Sequence, residues 1–500
     1  MSAAAPDTSG TAPSGTDPHA AVTDSSAAAA TARVNHPIGH SPTAHLDTGR
    51  TFASLDAPDT ADTAPAFLCW WRRRGGRGGG IDSILVISPT SCERLTVRTT
   101  ALPEERALLD LLPPAAPLSW VRRGEGLVAW GTAARLDLPA ESERSGVWRF
   151  TAAAEWLESL FAGITVDDEV RRPGSGPVVF GSFTFDGRDA GSTLVLPRVV
   201  VGRRGGRTWL TVVGEEDAPL AAAPPPRPVG ALRWLPGTVG EDAWTSTVAR
   251  AVERIRDTGL AKVVLARDVV AEAAHPIDVR TPLARLAADY PDCYVYSVAG
   301  LTGATPELLL RRAGDRLESL VLAGTAPRGA TGREDAALAE ALLASAKDVE
   351  EHAYAVESLR EALGPFCAEL RAPRRPELLR LANVQHLATP VHATLAPGTA
   401  TLRVLAALHP TAAVGGTPTR TAMEVIGELE GMRRDRYAGP VGWIDAHGNG
   451  EWGIALRCAQ IDGARARLFA GAGIVGDSDP RAELAETTAK FRAMRAALTD

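Results

Sequence analysis

Cysteine pairs are missing from this chain of 500 residues. Its five cysteines are scattered, odd in number and never spaced as Cys-x-x-Cys, and they stand at Cys69, Cys92, Cys293, Cys367 and Cys458. This usage excludes a disulfide framework and a cysteine-based zinc site as organising features. It is typical of proteins in a reducing cytosol, so we expect a cytoplasmic location.

A surplus of positive charge is also missing. The chain has 53 Lys and Arg against 60 Asp and Glu, which gives a net charge of -7 and argues against a nucleic-acid partner. No apolar run reaches the length of a transmembrane helix, so we expect no membrane partner. What the chain does have is 45% hydrophobic residues, enough at this length to bury a large core.

Composition divides the chain into three parts. Residues 1–47 are rich in Ala, Ser, Thr, Pro and Asp without hydrophobic periodicity, which predicts a disordered tail rather than a signal peptide. Residues 48–228 form a β-rich part that ends in the proline cluster at 224–228. Residues 229–500 mix helical and strand periods and carry most of the polar signals. We expect the last two parts to form one compact unit.

Strand patterns come in runs and do not alternate strictly with helices. The predicted strands are Ile81–Ser88, Leu127–Trp130, Val178–Phe185, Ser192–Val201, Thr208–Val213, Lys262–Ala271, Tyr294–Val298, Leu308–Arg312, Ala438–Ile444, Trp452–Ile461 and Arg467–Gly473. The predicted helices are Glu241–Thr258, Thr281–Asp289, Arg333–Leu363, Thr419–Gly431 and Asp479–Leu498. This order favours an α+β fold with large, mostly antiparallel β-sheets packed with helices.

The C-terminal helix carries the most informative polar pattern. Glu483, Glu486 and Lys490 fall on one helix face, because steps of three and four residues return to the same side. Two carboxylates beside a lysine suit a hard cation such as Mg²⁺ and an anionic substrate. The alternative is a solvated face with a Glu486–Lys490 ion pair. The preceding Gly471-Ala472-Gly473 can bring backbone N–H groups close to a carboxylate.

Other polar residues interrupt apolar segments, and the first two of them have two interpretations each. Lys262 opens a strand and is either solvent-facing or a desolvated base. Glu307 precedes an apolar strand and is either an edge charge or, if buried, a general acid. Arg457 lies in an alternating strand and is the best candidate for gripping a carboxylate. His386 lies between apolar residues, where a buried structural histidine is the default.

In chain order these segments resemble the chorismate-utilising enzymes, which include isochorismate synthases, salicylate synthases, anthranilate synthase large subunits and aminodeoxychorismate synthases. The resemblance runs from about Glu241 to the C-terminus and implies the anthranilate synthase large subunit-like fold. It is carried by Lys262-Val-Val-Leu-Ala-Arg267, Pro306-Glu-Leu-Leu-Leu-Arg311, Leu322-Ala-Gly-Thr-Ala-Pro-Arg328, Lys347-Asp-Val-Glu-Glu-His352, Val384-Gln-His-Leu387, His409-Pro-Thr-Ala-Ala-Val-Gly-Gly416, Tyr437-Ala-Gly439, Arg457, Gly471-Ala-Gly473 and the acidic helix.

The resemblance implies a role for each matching position. Lys262 would activate water, and Glu307 would protonate the departing C4 hydroxyl of chorismate. Glu351 and Glu486 would bind Mg²⁺, with Glu483 as a further ligand or a support and Asp348 as a support. The substrate would be bound by His386, Ala413, Tyr437, Arg457, Gly471, Ala472, Gly473, Lys490 and Thr325.

Single residues select a branch of the family. Lys262 stands where anthranilate synthases carry glutamine, and Ala323 stands where aminodeoxychorismate synthases carry a nucleophilic lysine. Ala413 stands in a motif that bears threonine in salicylate synthases. We therefore predict an Mg²⁺-dependent isochorismate synthase acting on chorismate, in menaquinone or siderophore synthesis, as a monomer without a glutaminase subunit. The alternatives are a salicylate synthase, an aminating enzyme and a non-catalytic chorismate binder.

Overall fold

Two large β-sheets dominate the computed structural model, which describes residues 68–71, 84–87, 95–140, 146–214, 220, 223–381 and 384–500. The predicted tail at 1–47 lies outside the described residues. The strands in chain order are β1 (Leu68–Trp71), β2 (Ile84–Ile87), β3 (Leu95–Ala101), β4 (Leu118–Arg122), β5 (Glu125–Trp130), β6 (Ala134–Leu138), β7 (Ile164–Asp168), β8 (Val178–Ser182), β9 (Ser192–Leu196), β10 (Val199–Arg204), β11 (Arg207–Val213), β12 (Leu232–Pro236), β13 (Lys262–Ala273), β14 (Tyr294–Val298), β15 (Leu301–Thr305), β16 (Leu308–Ala313), β17 (Arg316–Pro327), β18 (Cys367–Arg371), β19 (Glu377–Arg380), β20 (Val384–Leu395), β21 (Gly416–Thr417), β22 (Pro440–Asp445), β23 (Gly450–Ile454), β24 (Cys458–Asp462) and β25 (Arg465–Ile474).

The helices pack on these sheets and supply two of the walls of the site described below. In chain order they are α1 (Trp148–Ala162), α2 (Glu241–Asp257), α3 (Arg280–Asp289), α4 (Gly332–Ala344), α5 (Ala346–Leu363), α6 (Thr401–Leu408), α7 (Thr419–Leu429) and α8 (Pro480–Leu498). Within the described ranges, no helix has both the length and the apolar character that a membrane crossing needs.

The sheets are antiparallel almost throughout, which confirms the predicted α+β fold. Sheet A has the strand order β1-β2-β6-β9-β8-β22-β23-β16-β17-β20-β18, with β19 also paired to β20. Sheet B has the order β12-β13-β25-β24-β15-β14-β4-β5-β10-β11-β3-β7, with β21 also paired to β13. The pair β3–β7 is parallel, whereas every other described pair is antiparallel.

The pairing of β13 with β25 positions the site. Ten residues of each strand are in register, from Val263 opposite Ile474 to Glu272 opposite Arg465. The strand that begins at Lys262 therefore lies beside the segment Gly471–Gly473. Helix α8 follows β25 directly and packs on it. The last two elements of the chain thus meet the first long strand of the C-terminal region.

Helix α8 begins where the sequence signals it. The side chain of Asp479 accepts hydrogen bonds from the backbone N–H groups of Arg481 and Ala482, and Pro480 occupies the first helical turn. Phe491 and Met494 are buried, which fixes the face that docks on the core. Glu483, Glu486 and Lys490 lie beside this face, within the first three turns of the helix.

Three segments that were each predicted as one element form two separate elements in the structure. The predicted strand Trp452–Ile461 divides into β23 in sheet A and β24 in sheet B, because Arg457 has a left-handed φ of 49° that interrupts the extended chain. The predicted strand Ser192–Val201 likewise divides into β9 and β10, which belong to different sheets. The predicted helix Arg333–Leu363 is broken at Ser345, whose side chain caps the start of α5.

Candidate active site

Lys262 lies at the start of β13 and reaches across Gly473 to helix α5. A Cβ added at Gly473 would lie 2.6 Å from Cε of Lys262, so the glycine leaves the space that the lysine side chain fills. The Nζ of Lys262 donates to Oε1 of Glu351 at 2.6 Å. Both side chains keep partial access to solvent, with 21% and 36% of their surface exposed. The predicted base therefore makes an ion pair with a predicted metal carboxylate.

A second lysine makes the matching contact on α8. The Nζ of Lys490 lies 2.6 Å from Oε1 of Glu486 and donates to the backbone oxygen of Gly471 at 2.8 Å. Burial lowers the pKa of Lys490, while the carboxylate of Glu486 acts in the opposite direction. Lys490 thus ties α8 to the glycine segment of β25.

The N–H groups of Gly471 and Gly473 point away from β13, on the other edge of β25. Val264 and Ala266 of β13 direct their N–H groups away from β25, to the Gly415 oxygen at 2.9 Å and to Glu430 Oε2 at 2.8 Å. The residues opposite them are Gly473 and Gly471, and opposed residues of an antiparallel pair both face inward or both face outward. Pairing with β24 ends at Leu468. Both N–H groups therefore lie on an uncovered edge, where a carboxylate can accept from them.

Arg457 brings positive charge to this edge without a carboxylate partner. Its guanidinium has no hydrogen bond or ion pair with any described residue. Its charge nevertheless lowers the pKa of Glu307, His386 and Lys490, so all three groups lie within its electrostatic reach. A partly buried arginine in this state is suited to bind an anionic ligand.

Glu307 lies between β15 and β16, and burial raises the pKa of its carboxyl to about 7. The positive charges of Arg457 and Lys262 oppose this rise without reversing it. The carboxyl makes no hydrogen bond to any described side chain or backbone group. At neutral pH a large share of Glu307 therefore carries a proton that it can donate.

His386 and Thr325 face each other across β20 and β17. The Nδ1 of His386 and the hydroxyl of Thr325 are 2.9 Å apart, whereas the buried Nε2 of His386 has no partner among the described residues. Burial, reinforced by Arg457 and Lys490, lowers the pKa of His386 to about 4. The ring is therefore neutral at physiological pH, and Nε2 is available to a ligand.

Tyr437 closes the side of the site next to β25. Its ring stacks on Phe469 at 5.1 Å between centroids. A Cβ added at Gly471 would lie 3.2 Å from the Tyr437 hydroxyl, so the hydroxyl lies against the backbone that carries the available N–H groups. Burial raises the pKa of Tyr437, which keeps it a neutral hydrogen-bond donor.

Ala413 and Glu307 line one cavity of about 260 Å³, which extends between α5, α6 and β17. Ala413 lies in the turn after His409, and its methyl side chain adds no polar group to that wall. A larger cleft of about 1060 Å³ lies elsewhere and contains none of the predicted site residues. Of these two cavities, the smaller one therefore lies beside predicted site residues and the larger one does not.

The four carboxylates that the sequence assigned to a metal do not form a closed cluster in this arrangement. Within the described residues, no three His, Cys, Asp or Glu side chains converge as metal ligands. Glu351 and Glu486 are each neutralised by a lysine, and Asp348 packs its Cβ near Gly324. Glu483 accepts from Ser478 through Oε1, but its buried Oε2 has no partner. Burial raises the pKa of Glu483.

These residues fit a hard divalent cation. An orphaned, buried carboxylate oxygen on Glu483 needs a positive or donating partner. Oxygen donors from Glu351 and Glu486 are the ligands that Mg²⁺ prefers. Lys262 and Lys490, which pair with these two carboxylates, each carry a single positive charge, and a divalent ion can replace them there.

Arg267 holds helix α8 against strand β13, a role that the sequence motif alone did not assign. It donates from Nε to the Thr487 hydroxyl at 2.8 Å and from Nη2 to the Thr488 hydroxyl at 2.7 Å. These threonines directly follow Glu486, so Arg267 ties β13 to the helix turn that bears the carboxylate. The Glu-Thr-Thr sequence was the only available signal, and hydroxyls are too common in helices to be diagnostic.

Comparison with known proteins gives one family. The family model described as "Chorismate binding enzyme" matches residues 228–499. The salicylate biosynthesis isochorismate synthase of Pseudomonas aeruginosa is 38% identical over 415 residues, which cover 76% of this chain and 84% of that protein. Isochorismate synthase MenF of Bacillus subtilis is 34% identical over 362 residues, which cover 66% of this chain and 77% of that protein.

A solved structure gives the same result at the level of the fold. The menaquinone-specific isochorismate synthase MenF from Escherichia coli superimposes with a TM-score of 0.66 at 26% identity. The match covers 81% of this chain and 95% of that one. The similarity therefore extends over both sheets and is not confined to the motifs of the C-terminal region.

Proposed function

We propose that this chain, which belongs to the family of chorismate binding enzymes, is an isochorismate synthase. The reaction adds water at C2 of chorismate and expels the C4 hydroxyl, while the ring double bonds shift. Chorismate is a small dianion, so the site must bind two carboxylates and must also supply a base and an acid.

The unpaired guanidinium of Arg457 is the observation that carries this proposal. A partly buried guanidinium whose charge acts on Glu307, His386 and Lys490 is stabilised when an anion binds beside it. The N–H edge of Gly471 and Gly473 and the hydroxyl of Tyr437 converge on the same region. We assign these groups to the enolpyruvyl carboxylate of chorismate.

Lys262 and Glu307 supply the two proton transfers. As a free amine, Lys262 takes a proton from water, whose oxygen forms the new bond at C2. Glu307 donates its proton to the C4 hydroxyl, which departs as water when the C4–O bond breaks. The pKa of about 7 supports this role, because hydroxide alone is a poor leaving group. After turnover Lys262 releases the proton that it took up and Glu307 takes up a proton, which restores both groups.

Mg²⁺ fits the remaining carboxylates. Glu351 and Glu486 would hold it, and Glu483 would supply a further ligand or support, as would Asp348. When bound, the ion neutralises the ring carboxylate of chorismate and fixes its orientation. Lys490 and the neutral His386 then complete the binding of the ring from the side of β25 and β20.

Three positions favour isochorismate synthase over the other activities of the family. Lys262 suits water as the nucleophile, whereas aminating relatives differ there or at the position of Ala323. The segment Thr411-Ala-Ala413-Val414 differs from the threonine-bearing motif of salicylate synthases. The names of two relatives, which refer to salicylate biosynthesis and to isochorismate synthase, support the same reaction.

Product analysis tests the proposal. The purified chain is incubated with chorismate and Mg²⁺, with and without ammonium, and the products are separated by chromatography. We expect isochorismate alone. Salicylate with pyruvate would identify a salicylate synthase, an ammonium-dependent product would identify an aminating enzyme, and binding without turnover would identify a non-catalytic binder.

A further inference from the structure

Glu430 and Arg434 form an ion pair that is withdrawn from solvent. Their side chains are 2% and 3% exposed, and Arg434 binds both oxygens of Glu430, at 2.7 Å through Nε and at 2.6 Å through Nη2. A buried pair of this kind is costly to desolvate and adds little net stability. Its position therefore calls for a role other than stability.

The pair binds the backbone of β13 just beyond Lys262. Glu430 Oε2 accepts the N–H of Ala266 at 2.8 Å, and Arg434 Nη2 donates to the oxygen of Val264 at 2.7 Å. These are the groups that a neighbouring strand would satisfy. The ion pair thus replaces a strand where β21 has ended, since β21 pairs only with Lys262 and Val263.

The same arginine also binds the loop that carries Ala413. Its Nη1 donates to the oxygen of Val414 at 2.8 Å. The next residue, Gly415, accepts the N–H of Val264 at 2.9 Å. One guanidinium therefore joins the strand of the proposed base to the loop beside the cavity of Glu307.

We propose that Glu430 and Arg434 are a positioning pair, which sets the distance between Lys262 on β13 and Ala413 on the neighbouring loop. The planar guanidinium reaches a carboxylate and two carbonyls at once, which an ammonium cannot do. Neither residue touches the reacting atoms. The inference rests on the proposed function, because the positioned residues are the ones assigned to chorismate chemistry.

A second buried pair provides a matched control. Asp278 and Arg280 have side chains that are 0% and 4% exposed, and Arg280 also donates to the backbone oxygens of Leu112 and Pro224. None of these contacts involves a predicted site residue. Loss of this pair should therefore affect folding in the same way without affecting the site.

The experiment compares Arg434→Lys with Arg280→Lys. We expect both to lower the melting temperature, but only Arg434→Lys to lower kcat/KM for chorismate, by about 10- to 100-fold, the effect of a small misplacement of catalytic groups. The larger part should lie in kcat, because Arg434 holds the strand only two residues from Lys262. If either lysine variant does not fold, Glu430→Gln and Asp278→Asn make the same comparison with less change in shape.

Parental kcat and KM in the Arg434 and Glu430 variants, with a loss of melting temperature alone, would overturn the proposal. An equal kinetic loss in the Arg280 or Asp278 variants would overturn it as well. Failure of the proposed function is seen separately, as a parent protein that forms no isochorismate. In that case, amide exchange at Val264, Ala266 and Gly415 decides. Faster exchange in the Arg434 variant but not in the Arg280 variant supports the positioning role, and unchanged exchange in the Arg434 variant refutes it.

Discussion

The ammonium of Lys262 lies 2.6 Å from the carboxylate of Glu351, so the proposed base and a proposed metal ligand neutralise each other. An ammonium has no lone pair and cannot accept a proton from water. Lys262 becomes a base only after it leaves Glu351 and loses a proton. A cation that binds Glu351 would replace the Lys262 ammonium there, so the ion pair links the charge of α5 to the position of the proposed base on β13.

Removal of the base or the acid should affect turnover far more than binding. Lys262→Ala and Glu307→Gln should each lower kcat by about 10²- to 10⁴-fold, because each removes a proton-transfer partner. KM should change little, since the carboxylates of the substrate are bound elsewhere. Steady-state kinetics measure both constants, and Lys347→Ala, at an exposed lysine, serves as the control. Near-normal isochorismate formation by Lys262→Ala would reject the water-activating role.

Loss of Arg457 should affect chorismate binding more than turnover. Arg457→Ala should raise KM for chorismate by roughly 100-fold, the effect of removing one partner of an enclosed charge pair. Chorismate affinity, measured by calorimetry, should fall by a similar factor. An unchanged affinity would mean that the guanidinium serves another anion. Arg420→Ala, at an exposed arginine on α7, is the matched control.

The rate should depend on pH through Glu307. Because its pKa is raised to about 7, kcat should decrease as pH rises above that value and the donor loses its proton. The stability of the fold should also decrease as pH rises. Because the pKa of Glu307 is higher in the folded than in the unfolded chain, stability is lost as pH increases from the ordinary glutamate range to about 7. Glu307→Gln should therefore gain melting temperature relative to the parent as pH rises from 4 to 8. A constant difference would contradict the raised pKa.

Metal binding should compete with the lysines. EDTA should abolish turnover, and added Mg²⁺ should restore it. Glu351→Gln and Glu486→Gln should weaken Mg²⁺ binding in calorimetry, because each loses a hard anionic oxygen. Lys490→Met should strengthen Mg²⁺ binding in the absence of chorismate, because Glu486 loses its competing ammonium. Lys347→Met is the control, and full activity in EDTA would reject the metal.

A single methyl group at Gly473 should displace the proposed base. Gly473→Ala places Cβ 2.6 Å from Cε of Lys262, closer than real contacts allow, so the lysine must move. We expect a lower kcat with a nearly unchanged melting temperature, because the clash involves a flexible side chain. Gly476→Ala, whose Cβ would meet its nearest neighbour at 3.6 Å, is the control. Parental kinetics in Gly473→Ala would show that Lys262 acts from another position.

Local patterns predicted some elements with nearly their observed bounds. The bounds of α8 differ from the prediction by one residue, because the Asp479 cap and the apolar stripe are both written in the local sequence. Strand β14 was predicted with its observed bounds for the same reason. Short helix α6 was missed, since eight mostly apolar residues have no distinct period. Strands β17 and β20 were also missed, and their stability comes from pairing with each other.

Candidate residues of the site could be proposed from the sequence, but their contacts could not. Motif order pointed to Lys262, Glu351 and Arg457, yet no spacing rule gives the ion pair between residues 89 positions apart. The left-handed backbone of Arg457 depends on a crossing between two sheets, which is a tertiary property. The roles of Glu430 and Arg434 were invisible for the same reason, because their partners are backbone groups of β13 and of a distant loop.

The pairing of β13 with β25 has a consequence for synthesis of the chain. Strand β25 begins at Arg465, long after β13 ends at Ala273, so the ribosome adds about 190 residues between them. At about 5 to 20 residues per second, this edge of β13 waits on the order of 10 to 40 s for its partner. During that interval its apolar residues are exposed to other nascent chains. Slow translation of residues 274–464 should therefore favour aggregation, and a chain cut short before α8 should never acquire activity.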